Sequence, residues 1–541
     1  MPMVANIAET LSGVASLHGS RVGLIEAATG RSFTFAEVHQ ASMSYAAYLY
    51  GQGVEKETRV MLMVKPSMDF VALTFALFTI GATVILIDPG MGFSNLRRCI
   101  AHVKPQVLIG TPPALVFSWV YYRRFRSIGK RFCCGRGFGN DIRAQLDRGQ
   151  PPCTFSKTDS QDLAAILFTT GSTGPPKGVC YTHAIFAAQL DLIRHYYGIG
   201  PDDIDQPGFP LFALFSLALG ARVIVPDMNP SRPALVDPEK FTTSIEQHQV
   251  TYSFGSPAIW RVVSNYCRRK NKVLSSLRKV LMAGAPVPGD LIERVAAILP
   301  AGAQIDIPYG ATESLPIVSI TGEQVVGETW ALTKQGKGAC VGLPLPGISI
   351  LVIEPVDGPI EDISEITVKG AGEIGEIIVS GSVITASYYQ RDQETRGAKI
   401  ADGHRLWHRM GDMGYLDDTN RLWFCGRKAH CVHTPAGTMY PILCEAIFNT
   451  HEAVFRSALV GVRGKNDITL PAIVVEKEKT NTIDDTLLIT QLRALAKTST
   501  LTRTIDTIFI HPSFPVDIRH NAKIFREQLS IWATKQSGGV L

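Results

Sequence analysis

The chain contains no Gly-x-Ser-x-Gly elbow and no Gly-Lys-Ser/Thr ending to a phosphate loop, which excludes the usual serine hydrolase turn and a Walker A nucleotide site. Its ten cysteines show no paired spacing, so a disulfide framework is not expected. The group Cys425, His430, Cys431, His433 and Cys444 fits no common zinc scheme. No secretory signal opens the sequence, and reduced thiols in the cytoplasm are the expectation. Charge is sparse: 19% of the 541 residues are Asp, Glu, Lys or Arg, and a net charge of +5 is too mild to imply nucleic acid. Repeats and low-complexity tracts are also lacking. The 45% of hydrophobic residues that remain can bury a large core in more than one folded unit.

One long apolar run exists, Phe70 to Ile87, but Gly81 with Thr79 and Thr83 divides it. It reads as a buried helix, a turn and a buried strand rather than a membrane span. Strand-like runs at Val60 to Val64, Val84 to Ile87, Val107 to Gly110, Ala164 to Phe168 and Val223 to Val225 alternate with helical patterns, which argues for parallel, helix-covered sheets. From about residue 340 the strands become shorter, at Ile348 to Ile353, Glu376 to Ser380 and Leu422 to Cys425, separated by Gly, Pro and Asp turns. The expected fold is α/β. A large N-terminal domain, 1–427, combines mostly parallel sheets with a small barrel-like β subdomain, and a small mobile α+β domain, 428–541, follows.

Chemistry concentrates first in Leu167 to His183, LFTTGSTGPPKGVCYTH. Gly171, Ser172, Thr173 and Gly174, after Thr169 and Thr170, let backbone amides and hydroxyls approach phosphate oxygens. Lys177 adds a mobile positive charge. A strand before it and a helix over Ala184 to Tyr197 after it place this loop between ordered elements. Four further strings carry polar groups at turns: Tyr309-Gly310-Ala311-Thr312-Glu313, Gly411 to Tyr415 with Asp412, Cys425 to Lys428 with Arg427, and Arg519 to Ile524 with Lys523. Alone, a Thr-Glu pair reads as a helix start and a Gly-Asp pair as a turn.

Taken in order, these strings resemble the adenylate-forming superfamily of acyl-CoA synthetases, luciferases and peptide-synthetase adenylation domains, over essentially the full length. The resemblance implies ATP and Mg²⁺, with Tyr309 on adenine, Thr312 at the α-phosphate, Glu313 as metal ligand, and Asp412 and Arg427 at the ribose. It also assigns Gly284, Ala285, Pro286, Gly310 and Ala311 to the nucleotide site, and Lys523 to a lid that reaches the acyl-adenylate. A carboxylate attacking a triphosphate is anion on anion, so Mg²⁺, Lys177 and Lys523 would neutralise charge as pyrophosphate leaves.

Departures from the common pattern narrow the branch. Ala213 stands where many acyl-CoA synthetases have histidine, Ala522 replaces the glycine before the terminal lysine, and Ala429 occupies the hinge position. The string AHCVHTPAGTMYPILCEAIF lacks the glycine-containing loop that admits the CoA pantetheine. With FPLFALFSLALG, PDMNPSRPALVDP and FPVDIRHNAKI, the chain looks like the olefin β-lactone synthetase branch. That branch activates a 2-alkyl-3-hydroxy fatty acid, whose own hydroxyl then closes the ring. A fatty acid-CoA ligase or carrier-loading ligase, and a non-catalytic nucleotide-binding scaffold, are the alternatives. Phe209, Phe212, Phe215, Met282 and Ala283 are candidates to line an alkyl pocket, with core packing as the competing reading. His183 and His520 are candidate acids or bases, though satisfied loop or core histidines read better. The resemblance implies partners: a thiolase-like condensing enzyme, a reductase and a lactone decarboxylase. The basic aromatic segment 115–138 could lie on an anionic membrane surface, meet a partner, or be a solvated basic loop.

Overall fold

The apolar run divides as its glycine requires in the computed structural model, which describes residues 5–87, 89–136, 141–148, 155, 157–169, 175–464, 468–517 and 523–537. Ser67 caps the helix Met68–Thr79 by accepting from the Phe70 N–H at 3.2 Å, and Gly81 then turns the chain at φ +73° into the strand Thr83–Leu86. Twelve residues fall well short of the roughly 20 that a bilayer demands. Among the described residues no helix is long and apolar enough to cross a membrane.

Three main sheets organise the molecule. The first runs Lys130–Cys133, Val107–Gly110, Arg59–Met63, Thr83–Leu86 and Leu163–Thr169 in parallel, with Lys177–Thr182 antiparallel at its edge. In the second, Val22–Glu26, Arg222–Val225, Ile204–Asp205, Tyr252–Gly255, Lys279–Met282 and Gln304–Ala311 form the parallel part. Antiparallel strands continue it through Ser314–Thr321, Ala339–Pro344, Leu422–Arg427, Arg405–Leu416, Gly375–Ser380 and Ser349–Ile353. The third sheet, Val454–Arg463, Thr469–Lys477 and Thr507–Ile510, holds the C-terminal part and buries its own core around Phe448, Leu459, Leu488 and Leu492.

The segment 384–389 stitches the first two sheets together. Ile384 bridges to Ser314 at the hairpin of the second sheet, while Tyr388 bridges to Val179 at the edge of the first. The Cys180 N–H donates to the Ser387 carbonyl at 3.1 Å, and the Tyr389 N–H to that of Gly178 at 2.8 Å. This seam decides which residues meet, because the strand that begins at Lys177 is thereby held against the hairpin that carries Thr312 and Glu313.

Candidate active site

Gln304–Ala311 returns antiparallel as Ser314–Thr321, with Ala311 opposite Ser314, so Thr312 and Glu313 form a hairpin tip and not a helix start. Gly310 permits the close approach there: a Cβ would stand 2.5 Å from the Ser314 carbonyl oxygen. The backbone of the tip is satisfied from outside. Tyr181 donates its hydroxyl to the Thr312 carbonyl at 2.5 Å, and the Thr385 N–H and hydroxyl reach the Glu313 carbonyl at 3.0 and 3.1 Å. Both tip residues line one large cleft of about 2800 Å³.

The Glu313 carboxylate accepts the Tyr388 hydroxyl at 2.8 Å, and the ring of Tyr388 carries the Lys177 ammonium 4.8 Å from its centroid. One tyrosine thus joins the cation of the first sheet to the carboxylate of the second. Burial, then the charge of Glu313, pushes the Tyr388 hydroxyl well above its ordinary range, which keeps it a proton donor. Lys177 itself pairs in register with Thr169. Thr170, Gly171, Ser172, Thr173, Gly174 and His520 lie outside the described residues.

Asp412 and Arg427 are cross-strand neighbours on Arg405–Leu416 and Leu422–Arg427. Tyr309 donates to Asp412 Oδ2 at 2.5 Å, and Arg427 Nε lies 3.1 Å from Oδ1. That ion pair lacks hydrogen-bond alignment, so among the described residues the buried Oδ1 has no hydrogen-bond donor. An unsatisfied buried acceptor on a cleft wall is costly in isolation and suits a ligand hydroxyl. Burial raises the Asp412 carboxyl, opposed by Arg427, by the Tyr309 hydrogen bond and by the charge of Lys523. Asp412 in turn holds the Arg427 guanidinium above its ordinary value. Tyr309 tilts against Phe424, with ring centroids 6.1 Å apart. Gly284, Ala285 and Pro286 follow the strand Lys279–Met282 and line the same cleft, as do Gly310 and Ala311.

Lys523 belongs to the C-terminal part, yet it lines this cleft together with Thr312, Glu313 and Asp412. Its backbone is clasped by Asp517, whose carboxylate accepts the Lys523 N–H at 3.2 Å and whose N–H donates to the Lys523 carbonyl at 3.1 Å.

An aromatic wall leads away from the tip. Tyr181 lies 5.0 Å from Phe186, Phe186 6.2 Å from Phe215, Phe215 5.9 Å from Phe212 and Phe212 6.1 Å from Phe209, all on the cleft surface. Phe209, Phe212 and Phe215 recur every three residues along the helix Pro210–Ala218 and its N-cap, which puts them on one face. Ala283 also lines the cleft, but Met282 does not. It is fully buried in the cluster around Trp260 and Val280, because side chains alternate along Lys279–Met282 and send Leu281 to the cleft instead.

Three residues here carry no mark in a single sequence. Tyr181 and Tyr388 act through contacts that span 131 and 75 residues. Lys399 sits opposite His408 in the strand pairing, buried, with no hydrogen-bond partner for its Nζ among the described residues. Burial lowers its ammonium to about 7, against the pull of the Glu313 charge. His183, by contrast, is a core histidine: it accepts the Ile7 N–H at 3.3 Å, packs edge-on against Phe78 and is lowered to about 4 by burial.

Comparison with known proteins places the chain in a family. The family described as AMP-binding enzyme matches residues 13–389. The chain is 42% identical, over 93% of its length and 91% of the other, to an olefin β-lactone synthetase of Stenotrophomonas maltophilia. It is 41% identical, with the same coverage, to one of Xanthomonas campestris pv. campestris. Among solved structures, the amide bond synthetase McbA of Marinactinospora thermotolerans shares the fold with a TM-score of 0.81 at 22% identity, covering 97% of this chain and 99% of that one. A match across most of the chain, together with relatives this similar along nearly their whole length, establishes that the protein belongs to the AMP-binding enzymes, which form adenylates from ATP.

Proposed function

We propose that the protein activates a long-chain 2-alkyl-3-hydroxy fatty acid with ATP and closes the resulting acyl-adenylate to a β-lactone. The observation that carries this reading is the aromatic wall running from the Thr312–Glu313 tip to Phe209, which offers an apolar track beginning where the carboxylate must react. The names of the two similar relatives point to the same chemistry.

In the first half-reaction the fatty carboxylate attacks the α-phosphorus of ATP and pyrophosphate leaves. Asp412 and Arg427 would orient the ribose, Tyr309 the base, and Thr312 the α-phosphate. Lys177 and Lys523, which both line the cleft, would bear on the growing negative charge. The Glu313 carboxylate is a hard oxygen donor on the cleft wall and fits Mg²⁺, which when bound supplies charge neutralisation at the phosphates. In the second half-reaction the 3-hydroxyl oxygen attacks the acyl carbon, the C–O bond to AMP breaks, and the hydroxyl proton is released. Holding nucleophile and mixed anhydride in one molecule supplies the effective concentration an external thiol would otherwise need. Residues 428–541 would act as a lid that presents Lys523 for the first step and moves for the second. Thiolase-like, reductase and lactone decarboxylase partners would then make the hydroxy acid and consume the lactone.

Incubation of a racemic 2-alkyl-3-hydroxy acid with ATP and Mg²⁺, followed by mass spectrometry, tests the proposal. The expected product is the acid less one water, formed without CoA alongside AMP and pyrophosphate. Product that appears only on adding CoA would identify a fatty acid-CoA ligase instead.

A further inference from the structure

No Asp or Glu occurs between Asp88 and Asp141, while seven Arg and two Lys do, so the rest of the chain is net negative and the positive charge is concentrated in one stretch. The structure gathers exposed apolar groups in the same place. On the helix Pro112–Val120 and the turn after it, Trp119, Val120 and Tyr122 are 48%, 65% and 61% exposed, with Arg123 and Arg124 exposed beside them. Phe93, also exposed, packs against Phe117 and Tyr121 at 5.3 and 4.8 Å and carries the Arg97 guanidinium 4.7 Å from its ring.

We propose that this face docks the protein on an anionic lipid bilayer, with Trp119, Val120 and Tyr122 entering the headgroup region and the flanking arginines paired with lipid phosphates. Trp and Tyr prefer that interface because one end of each is apolar and the other wet, and arginine stems can lie along apolar surface while their heads remain hydrated. A soluble acidic partner would satisfy the charge but leave the exposed tryptophan and valine uncovered. A bilayer satisfies both. Phe117 links the face to the interior, since it lines the cleft on one side and packs with Phe93 and Tyr121 on the other. Docking stands on the surface alone. That it serves to draw a fatty acid from the leaflet rests on the function proposed above.

The test is co-sedimentation of the full-length protein with vesicles of phosphatidylcholine alone and of phosphatidylcholine with phosphatidylglycerol. Binding is expected only to the anionic vesicles and should fall as salt is raised. The double variant Arg123→Ala/Arg124→Ala should weaken it roughly 30-fold, at about fivefold per basic side chain. Trp119→Ser/Val120→Ser should weaken it at low salt too, where loss of charge is not at issue. Pyrophosphate exchange with a short-chain hydroxy acid should be unchanged in both variants, which shows that the fold survives and separates docking from catalysis. Equal binding to neutral vesicles, no binding to either kind, or full binding by Arg123→Ala/Arg124→Ala would overturn the proposal. So would a wild-type dimer that Trp119→Ser/Val120→Ser converts to a monomer, which would give the face to a second copy of the chain.

Discussion

Removing the Tyr309 hydroxyl isolates one function of the site. In Tyr309→Phe the ring still tilts on Phe424, but Asp412 Oδ2 loses its 2.5 Å donor while Oδ1 has no hydrogen-bond donor among the described residues to begin with. Burial already raises the Asp412 carboxyl, and the Tyr309 hydrogen bond is one of the groups that hold it down. A hydrogen bond to a charged group contributes about 1.5 to 3 kcal/mol, and each pKa unit corresponds to about 1.4 kcal/mol, so the carboxyl should rise by roughly one to two units. On the proposed function, only the ionised form would accept two ribose hydroxyls while it pairs with Arg427. The acid limb of kcat/KM for ATP should therefore move to higher pH by that amount, while activity on the alkaline plateau falls much less. ATP–pyrophosphate exchange measured from pH 5 to 9 reads both. An acid limb that stays in place in Tyr309→Phe would refute the argument that this hydroxyl sets the charge of Asp412.

Lys523→Ala should lower pyrophosphate exchange by about 10²- to 10³-fold, the loss expected for one preorganised charge at a transition state, and an unchanged exchange rate would remove this lysine from the chemistry. Glu376→Gln should destabilise the protein by about 3 to 5 kcal/mol, since Glu376 accepts from the buried Arg409 at 2.7 and 2.9 Å and from Lys428 at 3.1 Å; denaturant unfolding measures the loss. Lys399→Met should stabilise the protein near neutral pH and flatten its pH dependence. With a folded value of about 7 against an ordinary 10.5, Lys399 is charged in both states below pH 7, and only the unfolded chain keeps the proton between about 7 and 10.5. Wild-type stability should thus rise with pH across that window, and urea midpoints at pH 6.5 and 9.5 should differ less in the variant.

The sequence by itself determined the parts whose physics is local. Gly81 divided an apolar run into helix and strand, and alternating patterns announced parallel sheets. Strand periodicity read at one residue's resolution would even have chosen Leu281 over Met282 for the cleft, but only once the buried face of that strand was known. Tertiary structure alone decided the rest. Thr312 and Glu313 became a hairpin tip because Ala311 pairs with Ser314, although the dipeptide read locally suits a helix start. Tyr388 reached Glu313 and Lys177 because the segment 384–389 joins two sheets, and Lys399 was buried across from His408 with no hydrogen-bond partner among the described residues. Such contacts span distances along the chain over which propensity and spacing carry no information. They exist only after strands have been brought edge to edge, and burial then fixes which polar groups are satisfied.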